Sequence, residues 1–170
     1  MAIHKTAGAR FYIGPVLIPD DYEGITVDAG LALFEAIIDD DWTELHEIES
    51  FGDLGDNAEI ATFAAVDDRR TVKLKTTRDA GTMTIVCARD PLDEGQIAME
   101  AAEREDFNYA FRLVYADKRA AEYSPSTSYF GGMVLSRQVN LGGVQDITKV
   151  TFNLGVNTAV FEDHTDPTGS

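Results

Sequence analysis

Apolar residues recur at every second position in several runs of this chain, the spacing of strands with one buried face. Glu59 to Val66 and Arg70 to Lys75 flank a turn at Asp67-Asp68 and read as a hairpin. In its second strand Val72 and Leu74 face one way, and Thr71, Lys73 and Lys75 the other. Met83, Ile85 and Cys87 alternate with Thr84, Val86 and Ala88 in a third run, and Phe107, Tyr109, Phe111, Leu113 and Tyr115 line one face of a later one. Ser128 to Ser136, softened by Gly131-Gly132, and Val144 to Leu154, with Val150, Phe152 and Leu154 on one face, complete the second half. Near the N-terminus, Phe11 to Ile18 reads as a strand broken by Gly14-Pro15.

The period changes to that of a helix after Asp90-Pro91. Pro91 can open a helix without losing a needed donor. Asp93 or Asp90 can cap it, and Gln96 stands where a capping box requires it. Ile97, Ala98, Ala101 and Ala102 give that helix its expected apolar stripe. Residues 19–58 are richer in acid and glycine than in pattern and read as a long acidic loop. Within it, Ala29 to Ile38 can form a short helix capped by Asp28, although Asp39-Asp40-Asp41 at its end opposes the helix dipole. Residues 1–10 read as a loose arm and 157–170 as a tail. About six or seven strands and one central helix predict a single, mainly β (α+β) domain over 1–170: a β-sandwich or rolled sheet with one flanking helix.

Length and composition agree with one globular domain, since 170 residues with 44% hydrophobic and 26% charged side chains can bury a core. Charge changes the picture more. The formal net charge is −16; residues 1–68 hold 2 basic and 16 acidic side chains, residues 69–170 hold 12 and 14. The acidic surplus is an N-terminal property, and it opposes wrapping of nucleic acid through phosphate neutralisation. Between positions 69 and 89 the balance reverses, with Arg69, Arg70, Lys73, Lys75, Arg78 and Arg89 against Asp79 alone.

Candidate chemistry is sparse. His46-Glu47 matches the start of a zinc-protease helix, but position 50, where the second histidine belongs, is Ser50. His4 and His164 lie far from it in sequence. Gly52-Asp53-Leu54-Gly55 lacks the lysine and hydroxyl residue of a phosphate-binding loop, and Asp39-Asp40-Asp41 with Glu44 lacks the alternating ligands and central glycine of a calcium loop. Cys87 is the one cysteine, so an intrachain disulfide is excluded, and its place on an apolar face makes it a small buried hydrophobe. The reading is a non-enzyme with no metal or cofactor. With neither a long apolar run nor a basic-then-apolar leader at the N-terminus, the chain is expected to fold in a cytoplasm without membrane insertion.

Phe34-Glu35 ahead of Trp42, Leu45 and Ile48, then Phe51-Gly52, Asp79-Ala80-Gly81-Thr82 and Asp93-Glu94-Gly95-Gln96-Ile97-Ala98-Met99 make up an order that resembles the tail tube proteins of long-tailed bacteriophages. The resemblance runs from about Phe11 to Phe161. It implies a β-sandwich with a flanking helix that assembles as six-membered rings stacked into a tube. Tail terminator and baseplate or initiator proteins would lie at the ends of that tube, and DNA would pass through it without binding. The location so implied is the virion tail, assembled in the host cytoplasm.

In such an assembly the uneven charge has a use, because a head-to-tail interface joins unlike patches and propagates. The basic partners are then Arg69, Arg70, Lys73, Lys75 and Arg78, and the acidic partners Asp39, Asp40, Asp41, Glu44 and Glu47, with Trp42 among them as an anchor. Two other readings compete: the tube protein of a contractile or type VI secretion-like system, and a soluble acidic binding domain. A carboxylate-dependent hydrolase ranks behind them.

Overall fold

The computed structural model describes residues 3–66 and 69–164. Among the described residues ten strands and two α-helices follow one another. Strand β1 is Arg10–Val16, helix α1 Val27–Glu35, β2 Thr43–Leu45, β3 Ile48–Phe51, β4 Asn57–Phe63, β5 Val72–Asp79 and β6 Thr82–Ala88. Helix α2 is Glu94–Glu103, followed by β7 Tyr109–Val114, β8 Thr127–Asn140, β9 Lys149–Val156 and β10 Phe161–Asp163. One antiparallel sheet has the order β2-β1-β7-β8-β9-β6-β3, with β10 also paired to β8, while β4 and β5 pair only with each other.

The register of β8 explains how that sheet encloses a core. Its first part, Thr127 to Gly132, pairs with β7, and the rest, Gly132 to Asn140, pairs with β9, with a bulge between Val134 and Ser136. A long strand that changes partners at a glycine and a bulge turns a corner between two layers. The sheet curls far enough that Phe11 of β1 lies 6.3 Å from Phe51 of β3, near the opposite end of the strand order. Between the layers sit Phe11, Phe111, Phe130, Phe152, Met83 and Ile85, all but inaccessible to solvent. The alternation expected for β6 and β9 holds, with Met83, Ile85 and Cys87 inward from one and Val150, Phe152 and Leu154 from the other.

Helix α2 closes this core. The Asp93 carboxylate accepts from the Gln96 backbone N–H at 3.0 Å, as a cap should. Pro91 lies in the preceding turn and not in the helix. The buried stripe also differs from expectation, consisting of Gly95, Gln96, Met99 and Ala102, with Ile97 half exposed. Gln96 turns inward because its amide has partners there: Nε2 donates to the Ala88 carbonyl at 2.8 Å and Oε1 accepts from the Asp90 N–H at 3.1 Å. At Gly95 a Cβ would overlap the backbone of Glu44 and Leu45, so glycine lets α2 press against β2.

Residues 19–58, expected as a loop, are built. Short 3₁₀ turns at Pro19–Tyr22 and Asp39–Asp41 bracket α1, and β2 and β3 follow. Helix α1 starts two residues earlier than predicted, capped by Thr26, whose hydroxyl accepts from the Ala29 N–H at 3.3 Å, and not by Asp28. Phe34 fixes it to the outer face of the sheet, stacked on Tyr129 at 5.4 Å and tilted against Phe161 at 5.9 Å. The fold thus has two helices, one on each side of the β1–β7–β8 layer. Phe161 lies in β10, so the expected tail joins the sheet through residue 163; Thr165 to Ser170 lie outside the described residues.

Candidate subunit interface

The β4–β5 hairpin stands apart from the rest of the fold. Every residue of β5 is exposed, as is every residue of β4 except the half-buried Ala58. Its register pairs Ala61 with Leu74 and Phe63 with Val72, and, on the opposite face, Ile60 with Lys75 and Thr62 with Lys73. One face is therefore apolar and the other basic. Phe63 is 62% exposed, Leu74 57% and Val72 47%, so the alternation that predicts a buried face has nothing to bury it. A lone two-stranded ribbon is marginal in water and gains stability once a third element covers it.

The ribbon is tied to the body at its base. The Gly81 N–H donates to Asp79 Oδ1 at 2.8 Å, in a turn whose φ of +69° at Gly81 suits glycine. Arg78 reaches Asp56, just before β4, at 3.9 Å, while within the ribbon the Thr77 hydroxyl of β5 donates to Glu59 of β4 at 3.3 Å. Beside this base runs a cleft bordered by Pro19–Gly24 and Val156–Ala159. Arg69 and Arg70 follow the tip and are exposed; the expected turn at Asp67-Asp68 lies outside the described residues.

The acidic set lies elsewhere. Asp39 approaches Arg112 at 3.5 Å, and the Arg112 guanidinium sits 4.2 Å from the Tyr12 ring and 4.9 Å from that of Trp42. Trp42 itself is buried in the subunit, its ring so close over Gly14 that a Cβ there would come within 2.7 Å. Glu44 receives both the Nε and an Nη of Arg10 at 2.7 and 2.6 Å, and this pairing holds its carboxyl below the usual range. Glu44 and Trp42 are thus engaged inside the subunit. Asp40, Asp41 and Glu47 stay exposed. Asp40, Glu44 and Glu47 share a cleft with Asp90, Asp93 and Glu94, so the acidic surface extends to the start of α2, a continuation that forty intervening residues hide in the sequence. No ion pair among the described residues links Arg69, Lys73, Lys75 or Arg78 to this surface.

Further apolar surface lies at the far end of the β8–β9 pair, where Leu141, Val144 and Ile147 are more than half exposed, and at the bulge, where Leu135 is exposed beside Gly155. Among the described residues no group of three or more His, Cys, Asp or Glu side chains is arranged to hold a metal ion. No described helix is long and apolar enough to cross a membrane.

The fold is similar to that of solved subunits of phage tails and related particles. A subunit of the SPP1 tail tube superposes with a TM-score of 0.66 at 12% identity, over 98% of this chain and 82% of that one. A chain of the six-fold symmetrised baseplate of the anti-feeding prophage gives 0.61 at 8% identity, over 96% and 98%. A chain of the tail of an empty GTA particle, refined helically with C6 symmetry, gives 0.53 at 10% identity, over 71% and 84%. No family model matches the sequence. No curated protein matches it either.

Proposed function

We propose that this chain is a structural subunit that assembles as six-membered rings and stacks into a tail tube, a conduit for DNA ejection. The reading rests on one observation, a tail-tube fold whose β4–β5 ribbon bares an apolar face and a basic face to solvent. Exposed apolar surface of this kind is unusual on a monomer and marks a contact. Counted over residues 57–79 the ribbon carries 5 basic and 4 acidic side chains, whereas the whole chain is at −16, so the ribbon of one copy is attracted to the body of the next. Lys73, Lys75, Arg69 and Arg78 supply that attraction, and Asp39, Asp40, Asp41 and Glu47 are the acidic groups of the expected set still exposed to receive it. Glu44 and Trp42 support the receiving surface from inside.

The role is architectural and not catalytic. A wall built of −16 subunits repels phosphates and lets DNA slide. Terminator proteins at one end and baseplate or initiator proteins at the other would bound the tube within the virion tail. Negative-stain electron microscopy of the purified protein, with and without a baseplate seed, tests the reading: six-fold rings or tubes are expected, and a monomer under both conditions overturns it. The likeness to a baseplate chain supports a second reading, in which the protein forms a single ring at the tail end. Copy number per particle separates the two, many rings for a tube and one for a baseplate.

A further inference from the structure

His46 and Glu47 form the corner between β2 and β3, the strands at the two ends of the curled sheet. Glu47 holds a left-handed φ of +57° there, and its carbonyl accepts from the Ala88 N–H at 2.8 Å. The His46 ring lies between two carboxylates, with Nδ1 at 2.7 Å from Asp93 Oδ1 and Nε2 at 3.4 Å from Glu44 Oε2. The other oxygen of Asp93 accepts from the backbone N–H groups of His46, at 3.3 Å, and Gln96, at 3.0 Å, so this buried carboxylate serves the corner and the α2 cap together.

We propose that His46 is a protonation-dependent clasp whose imidazolium bridges Asp93 and Glu44, pins the β2–β3 corner to the start of α2, and releases it on losing its proton. The reason lies in the ring's donor count. An imidazolium presents N–H groups to both carboxylates, whereas neutral imidazole has one N–H and must turn a lone pair toward either Glu44 or Asp93. Every other element around the ring leaves this balance acidic. Asp40 from the 3₁₀ turn, Glu47 from the corner, and Asp90 and Glu94 from the start of α2 line the same cleft, Arg10 of β1 is the opposing cation, and the Cys87 thiol of β6 is buried, pushed up to about 12 chiefly by that burial. The hydrogen bond to Asp93 raises the His46 pKa above its ordinary 6.5. The linkage therefore has a definite sign: the clasp is fully present below pH 6.5 and is lost as pH rises through the raised value.

The test uses the free subunit and does not depend on assembly. The His46 ring is titrated by NMR together with the backbone amides of His46 and Gln96, and the melting temperature is followed from pH 5.5 to 9 in wild type, His46→Gln and His46→Lys, pH values set by the histidine range. A His46 midpoint above 6.5, tracked by both amides, is expected, with a wild-type melting temperature that falls by a few degrees across it. His46→Gln should lose that decline. His46→Lys, charged throughout, should lose it too and stay above the glutamine variant at high pH. A midpoint at or below 6.5, or a glutamine variant that keeps the wild-type decline, overturns the clasp.

Discussion

Phe11 and Phe51 meet at 6.3 Å across the interior, although their strands stand near opposite ends of the sheet order. That contact reports closure of the curled sheet. Phe11 also stacks on Phe111 at 5.7 Å and is fully buried, so Phe11→Ala should cost about 3–5 kcal/mol in denaturant unfolding. Phe51 is only half buried and its truncation should cost less. In a double-mutant cycle the pair should couple by about 0.5–1.5 kcal/mol, and additive effects would mean that the sheet's ends do not meet as described.

Gly95→Ala reverses an ordinary expectation. In an exposed helix interior the change stabilises by about 1 kcal/mol. Here the added methyl meets the Glu44 carbonyl and the Leu45 Cα, both main-chain atoms of β2 that cannot step aside, so a net loss of about 1–3 kcal/mol is expected in thermal or urea unfolding.

Arg10→Ala tests the ion pair with Glu44. A carboxyl held low by its partner contributes stability above its unfolded pKa of 4.5 and loses it as pH falls through the lowered value. Wild type should therefore exceed the variant by about 0.2–1 kcal/mol near neutrality, the range for exposed pairs, and the gap should close in acid. A gap that persists at pH 2–3 would assign the effect to lost packing and not to charge.

Lys73→Glu combined with Lys75→Glu should leave the subunit's stability within about 0.5 kcal/mol, because both side chains are exposed on an unsupported ribbon. Ring or tube formation, followed by sedimentation and microscopy, should weaken, and more so at low salt. Unchanged assembly at low and high salt alike would remove the basic face from the contact.

The free subunit should show no measurable affinity for duplex DNA at physiological salt. In the proposed conduit each phosphate gripped by Lys or Arg would add friction to DNA passing through the rings. A salt-sensitive gel shift would count against a conduit and in favour of a DNA-organising protein.

What could be read from the sequence follows from how local each feature is. Strands β6 and β9 are legible because Met83-Ile85-Cys87 and Val150-Phe152-Leu154 alternate over enough residues to define a face, and Asp93 caps α2 three residues before Gln96. Strands β2 and β3 are not, since three or four residues define no period and Leu45 is inward only because Phe11 pairs with it. The inward turn of Gln96 depends on the Ala88 carbonyl, and the engagement of Glu44 on Arg10, 34 positions away. The ribbon illustrates the division best. Val72 and Leu74 announce a face, while its being bare is a property of everything that fails to pack on it.

That bareness carries a hazard for a cell filled with newly made subunits. An isolated ribbon with free edges and exposed Phe63, Val72 and Leu74 is a template on which identical chains can pile up in the wrong order. Lys73, between Val72 and Leu74 in sequence, and Lys75, just after Leu74, are turned to the reverse face and act as gatekeepers: two such ribbons stacked basic face to basic face repel each other. In the proposed assembly the same two lysines would draw the ribbon toward an acidic neighbour in the right register and penalise its self-stacking in the wrong one, so that solubility before assembly and order during it would come from a single pair of side chains.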